Sequence, residues 1–188
     1  MADGDLIACL NAARYQLRDT YWWRRTLNPN SPWNDDTALA HIHLDELPAP
    51  LTGPDHSLAE LTELRPFALL WADVSNGFTW TSGTGDFCCA NIGGQFVMQF
   101  ELPVPQDIAT DPYDVAVWVN TALGRIIRTD DPDEPGILDL SAKVGPDSPY
   151  LPITSAKLTG YIRSDIKHQH ELGDFIKAEL ELTWGVTT

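Results

Sequence analysis

From residue 95 to 102 the chain alternates without a break. Phe96, Met98, Phe100 and Leu102 fall on one side, and Gln95, Val97, Gln99 and Glu101 on the other. A period of two belongs to a strand, so this run predicts one with a single buried face. Pro103 and Pro105 end it. The last stretch repeats the pattern, with Ile176, Ala178, Leu180, Leu182, Trp184 and Val186 alternating with Lys177, Glu179, Glu181 and Thr183. One-faced strands need a second apolar layer to cover them.

Two segments read as that layer. Leu6, Leu10, Ala13 and Leu17 follow +4, +3, +4 spacing, with Asp3 as the expected N-cap and Asp5 at the positive end of the helix dipole. This helix runs out near Trp22-Trp23-Arg24-Arg25. Residues 112–128 carry both signals, because Val115, Val117 and Val119 alternate like a strand. The end signals favour a helix: Asp111 as cap, Pro112 in the first turn, Asp114 behind it, and Arg125 and Arg128 at the negative end. Its apolar face is Val115, Trp118, Val119, Ala122, Leu123 and Ile126, and Gly124 costs it about 1 kcal/mol. The expected fold is α+β: a mostly antiparallel sheet with an N-terminal helix and a second helix packed on one face.

The remaining elements follow from local chemistry. Residues 67–72, apolar on both faces, read as an interior strand. Asn76-Gly77 is a favoured hairpin turn, so 78–81 are expected to pair back on that strand, with a further turn at 83–86. Alternation over 37–47 favours a short strand. Ser57 and Glu60 resemble a capping box before Leu58, Leu61 and Leu64. Residues 158–164 read as a strand, and 165–174 as a turn or an extended hairpin tip. Long loops are expected at about 26–56 and 129–153, inside one domain spanning 1–188.

Composition narrows the function classes. The formal net charge is −15 and 10% of residues are aromatic. That aromatic content belongs to a folded chain, and the shortage of Lys and Arg argues against a broad phosphate-reading surface. No apolar run approaches the roughly 20 residues of a membrane span. The acidic start, Met1-Ala2-Asp3-Gly4-Asp5, does not read as a secretory signal. Cys9, Cys88 and Cys89 cannot all pair, and neighbouring cysteines make poor disulfides, so a reducing compartment is expected.

Candidate chemistry is sparse. His41-x-His43 and His168-x-His170 each place two imidazoles at strand spacing, and a metal-dependent hydrolase would use all four, or one pair with Asp45 or Asp165. Nothing in the sequence brings the pairs together, and solvated polar faces are the plainer expectation. Asp131-x-Asp133-x-x-Gly136 begins like a calcium loop but meets Pro135 at position five and Ala142 at position twelve. Gly83-x-Gly85 lacks the third glycine and the following helix of a dinucleotide fingerprint. Cys88 and Cys89 have no neighbouring base, so hydrophobic packing is expected of them. Trp22-Trp23-Arg24-Arg25 fits a protein interface or helix-end packing better than nucleic acid in so acidic a chain. No catalytic residue, cofactor or metal is assigned, and the class expected without further information is a generic cytosolic binding module.

A resemblance enters in the order of the elements. Residues 66–74 (PFALLWADV) are followed by 94–105 (GQFVMQFELPVP), then by the Asp111-Pro112 helix with Trp118 and Ile126. The chain closes with 160–165 (GYIRSD) and 173–184 (GDFIKAELELTW). This order resembles the tail terminator proteins of long-tailed bacteriophages, which cap the tail tube and join it to the head. The resemblance leaves residues 22–64 and 129–153 unplaced. It implies a virion structural protein and not an enzyme, with no catalytic residues to carry over. Its implied partners are further copies of itself in a ring, hexameric in the family, together with the tail tube protein and a head-tail connector or neck protein. DNA would pass through without specific binding. Assembly would take place in the host cytoplasm, with no membrane involved.

Overall fold

The structure, a computed structural model, describes residues 6–25, 31–47, 64–73, 79–82, 90–105, 107–108, 111–145, 147–168 and 171–187. Helix α1 (Leu6–Asp19) breaks at Thr20 and resumes as α2 (Tyr21–Arg25). Then come α3 (Asp35–Ala40), β1 (Ile42–Leu44), β2 (Phe67–Ala72), β3 (Thr79–Ser82) and β4 (Ala90–Pro103). After these follow α4 (Pro112–Ile127), α5 (Ile137–Ser141), β5 (Ile153–His168) and β6 (Glu171–Thr187). The fold is α+β. Five strands run β1-β2-β4-β6-β5 across a mixed, mostly antiparallel sheet, and β3 joins β4 beside that path. Among the described strands only the β1–β2 pair is parallel.

The alternating strands set the core. Phe96, Met98, Phe100 and Leu102 are fully buried, and across the ladder Ile176, Ala178, Leu180 and Leu182 lie on the same face. Cys9, Leu10, Ala13 and Leu17 of α1 and Val115, Val119, Leu123 and Ile126 of α4 join them in one cluster. Helix α4 starts as its end signals predict, the Asp111 carboxylate accepting from the Tyr113 amide at 2.7 Å. The Asp3 cap of α1, the capping box at 57–60 and the turns at 76–77 and 83–86 lie outside the described residues.

Three expectations need correction. The alternating stretch 37–47 is a strand only over Ile42–Leu44. Asn34 accepts from the Thr37 amide, and this cap turns Asp35–Ala40 into helix instead. The expected loops at 26–56 and 129–153 are therefore not loops throughout; the second contains α5. Asp139 starts that helix by accepting from the amides of both Gly136 and Thr129. A Cβ at Gly136 would lie 2.6 Å from the Arg128 nitrogen, so glycine fits the close crossing of the two backbones. Finally, β3 pairs with the start of β4 and not back on β2.

Segment 129–152 is held down by Gln16, which is wholly buried in α1. Its amide nitrogen donates to the Ile137 and Leu151 carbonyls and to Ser141 Oγ, and its oxygen accepts from the Leu151 amide. One side chain thus joins α1, α5 and the entry to β5, and its polar groups cost nothing because each has a partner.

Gly124 stands in contrast. It lies inside α4, and a Cβ there would meet nothing within 4 Å. Gly124→Ala should stabilise the monomer by about 1 kcal/mol in urea unfolding. An unchanged or lowered midpoint would show that the glycine serves the fold itself.

Candidate functional site

The histidine pairs part company. His41 ends α3 and does not sit on a strand, so it does not share a strand face with His43. Its Nδ1 lies 2.8 Å from the Pro66 carbonyl, and its ring stacks on Trp33 at 4.3 Å. His43, on β1, leans on Phe67. β1 and β5 occupy opposite ends of the strand order, which separates His43 from His168 by roughly 19 Å across the sheet at about 4.8 Å per strand. His170 and the side chains of His168 and Asp165 lie outside what the structure describes. Among the described residues no group of three His, Cys, Asp or Glu side chains could hold a metal ion.

The Trp-Arg run packs inward. Trp23 is fully buried, donates to the Ala38 carbonyl and meets Trp33 and Phe100 edge-on. Arg24 pairs with Asp19 and Asp35, Arg25 lies over Tyr21, and Arg125 from α4 covers Trp22. These contacts fix how α2 leaves α1. The acidic loop is solvated as expected: Asp130, Asp131 and Asp133 are exposed, and the Asp131 carboxylate is engaged by the Asp133 amide at 2.9 Å. Cys9 is buried in the core, whereas Cys88, Cys89, Gly83 and Gly85 lie outside the described residues. No described helix is long and apolar enough to cross a membrane.

The strongest polar cluster was not foreseen. Glu101 falls on the outward row of β4 yet is buried. It pairs with Arg65 at 2.7 Å and with Lys177 of β6 at 3.1 Å. The Arg65 guanidinium lies over Phe67 and Phe175, both buried on the same side of the sheet. The second sheet face is therefore partly closed, and Lys177, whose side chain is 48% exposed, marks where it opens. Beyond it an open groove of about 370 Å³ is lined by Gln99, Lys177, Glu179, Gly160 and Ile162 among others. In sequence Glu101 and Lys177 look like ordinary solvent-facing charges. The partner that buries Glu101 is 36 residues away, and no spacing rule points to it.

The unequal burial within this cluster gives a test. Glu101→Ala removes the buried carboxylate that Arg65 and Lys177 share and should cost about 3–5 kcal/mol. Lys177→Ala removes a half-exposed partner and should cost no more than about 1 kcal/mol. Equal losses in denaturant unfolding would contradict this division.

A second test concerns acid. Burial, with help from Arg14 and His41, holds the His43 imidazole below its ordinary range. The folded state thus prefers the neutral ring while the unfolded chain takes up a proton near pH 6.5. The stability His43 contributes is present above that pH and is lost as the pH falls through the lower folded value. His43→Gln should flatten the drop in melting temperature below about pH 6.5. An unchanged slope would assign the acid sensitivity elsewhere.

No protein-family model matches this sequence, and no curated protein matches it.

Proposed function

We propose that this chain is a virion assembly protein of the tail-terminator kind, a subunit that forms a ring, caps the tail tube and meets the head-tail connector or neck. The observation that carries the reading is the β5–β6 hairpin. Its strands are 16 and 17 residues long, while the described pairing of β4 with β6 stops at Pro103 and Phe175. Among the described residues, the two strands from Asp165 and Asp174 to His168 and Glu171 pair only with each other, an arm of roughly 13 Å at about 3.3 Å per residue. A subunit that grips a neighbour or a tube end needs an element reaching past its own core. The helix, strand, helix, hairpin order agrees with the resemblance that suggested the family. The separation of His43 from His168 disfavours a hydrolase built on both histidine pairs.

Charge supports the same reading. A ring of copies carrying −15 each presents DNA with a repelling wall at distances within about 8 Å at physiological salt, so DNA slides through without adhering. Assembly would occur in the host cytoplasm and the product would reside in the tail and neck of the virion.

Tail tube subunits encoded beside this chain, polymerised in its presence, should give tubes of defined length with the protein at one end in electron micrographs. The purified protein should show no measurable binding to duplex DNA at physiological salt. Tubes that grow on unbound and undiminished would reject the proposal, and a salt-sensitive DNA complex would reject its electrostatic part.

A further inference from the structure

Helix α4 carries apolar residues on two sides. Val115, Val119, Leu123 and Ile126 are buried in the core, while Tyr113 is 82% and Val117 66% exposed. At about 100° per residue, Val117 stands directly across the helix from Ile126, and Tyr113, Thr121 and Gly124 lie within about 40° of Val117. Thr121 and Gly124 are exposed as well. A helix with apolar residues on both sides calls for cover on both.

Two pairs of residues on this outer side are eleven positions apart, a spacing that returns to the same flank within about 20°. Asp114 and Arg125 form one pair, Tyr113 and Gly124 the other. The first two are exposed and opposite in charge, but about 16 Å of helix separates them, too far for them to meet. Among the described residues Asp114 meets no cation and Arg125 no carboxylate, its guanidinium lying over Trp22. The second pair is a protruding ring and a hollow. A Cβ at Gly124 would meet nothing within 4 Å, and its backbone is not in the left-handed region, so the fold does not require glycine there. The helix dipole accounts for the signs of Asp114 and Arg125. It accounts neither for the empty position at Gly124 nor for the spacing the two pairs share.

We propose that a second copy of this chain lays its own α4 antiparallel across this face, about a two-fold axis level with Val119. One register then sets Tyr113 over the partner's Gly124, Val117 beside the partner's Thr121 and Asp114 beside the partner's Arg125, each contact made twice. The midpoints of the three pairs fall within one residue of each other, about 1.5 Å along the axis. The occupant is another copy because the pattern is its own complement. Antiparallel pairing reverses the order, so the acidic end of each helix meets the basic end of the other. The missing Cβ at Gly124 lets the tyrosine ring approach the backbone. Such a contact is isologous: it makes pairs and stops. One helix face is small beside the roughly 800 Å² per partner of a standard interface, so the pair is a weak one, formed at tens of micromolar and above. It goes beyond the ring proposed above and does not depend on it.

Sedimentation equilibrium between about 5 and 500 µM tests the contact. Wild-type protein should show a monomer–dimer equilibrium. Asp114→Lys alone, or Arg125→Glu alone, sets like charges together at both ends of the helix pair and should weaken dimerisation by about tenfold. Mixed in equal amounts, the two variants regain both attractive contacts and should pair with each other about as tightly as wild type. A chain carrying both changes should again pair with itself. Gly124→Leu fills the hollow and should abolish pairing, while circular dichroism and the unfolding midpoint show a fold no less stable than wild type. This variant leaves the helix ends untouched, so it decides the matter even where a charge reversal disturbs them. Wild-type protein that stays monomeric throughout would overturn the proposal. So would Gly124→Leu dimers as tight as wild type, or folded charge variants that fail to rescue each other.

Discussion

Strand β4 is bonded along both edges, and the rest of the architecture hangs on that pairing. β6 runs beside it from Asn91 to Pro103 on one edge. On the other edge β3 takes positions 90–93 and β2 takes 96–101, end to end. Where a strand is paired on both sides its backbone groups are satisfied without water, so its inward row there can be wholly apolar. Phe96, Met98, Phe100 and Leu102 each contribute about 1.5–3 kcal/mol by burial. Helices α1 and α4 are shaped to this row. The place of β5 follows from where β4 puts β6, and that of β1 from where it puts β2.

This arrangement explains what the sequence revealed and what it did not. Strands β4 and β6 and helix α4 were legible because their information is local: a period of two in the first pair, and a cap, a proline and terminal charges in the third. The stretch 37–47 misled because alternation at Ala38, Ala40, Ile42 and Leu44 is real, but the Asn34 cap acts first and winds the opening residues into helix. β3 misled because an Asn-Gly turn specifies a reversal, not a partner, and β4 offered an open stretch of edge just past β2. Gln16 shows a weaker signal that was available. It lies on the helical arc of Cys9, Ala12, Ala13 and Thr20, where a polar residue must find buried partners.

The candidate sites divide in the same way. The histidines were visible as spacing, but their relation depended on strand order, which spacing does not carry. Arg65, Glu101 and Lys177 were visible only as scattered charges, and their meeting depends on the register between β4 and β6. Long-range pairing also sets the open edge of β5. The bulges between Ile153 and Ser155 and between Leu158 and Gly160 turn that edge locally, a common way to discourage indiscriminate strand pairing.

The helix layer closes one side of the sheet, while the β5–β6 hairpin reaches past the core. Hydrogen exchange followed by mass spectrometry, with and without tail tubes, tests most directly whether that arm is the element that grips a tube end. Amides of 165–168 and 171–174 should exchange more slowly on tubes, while those of β4 are already slow and do not change. Equal exchange with and without tubes in the hairpin peptides would contradict this division of roles.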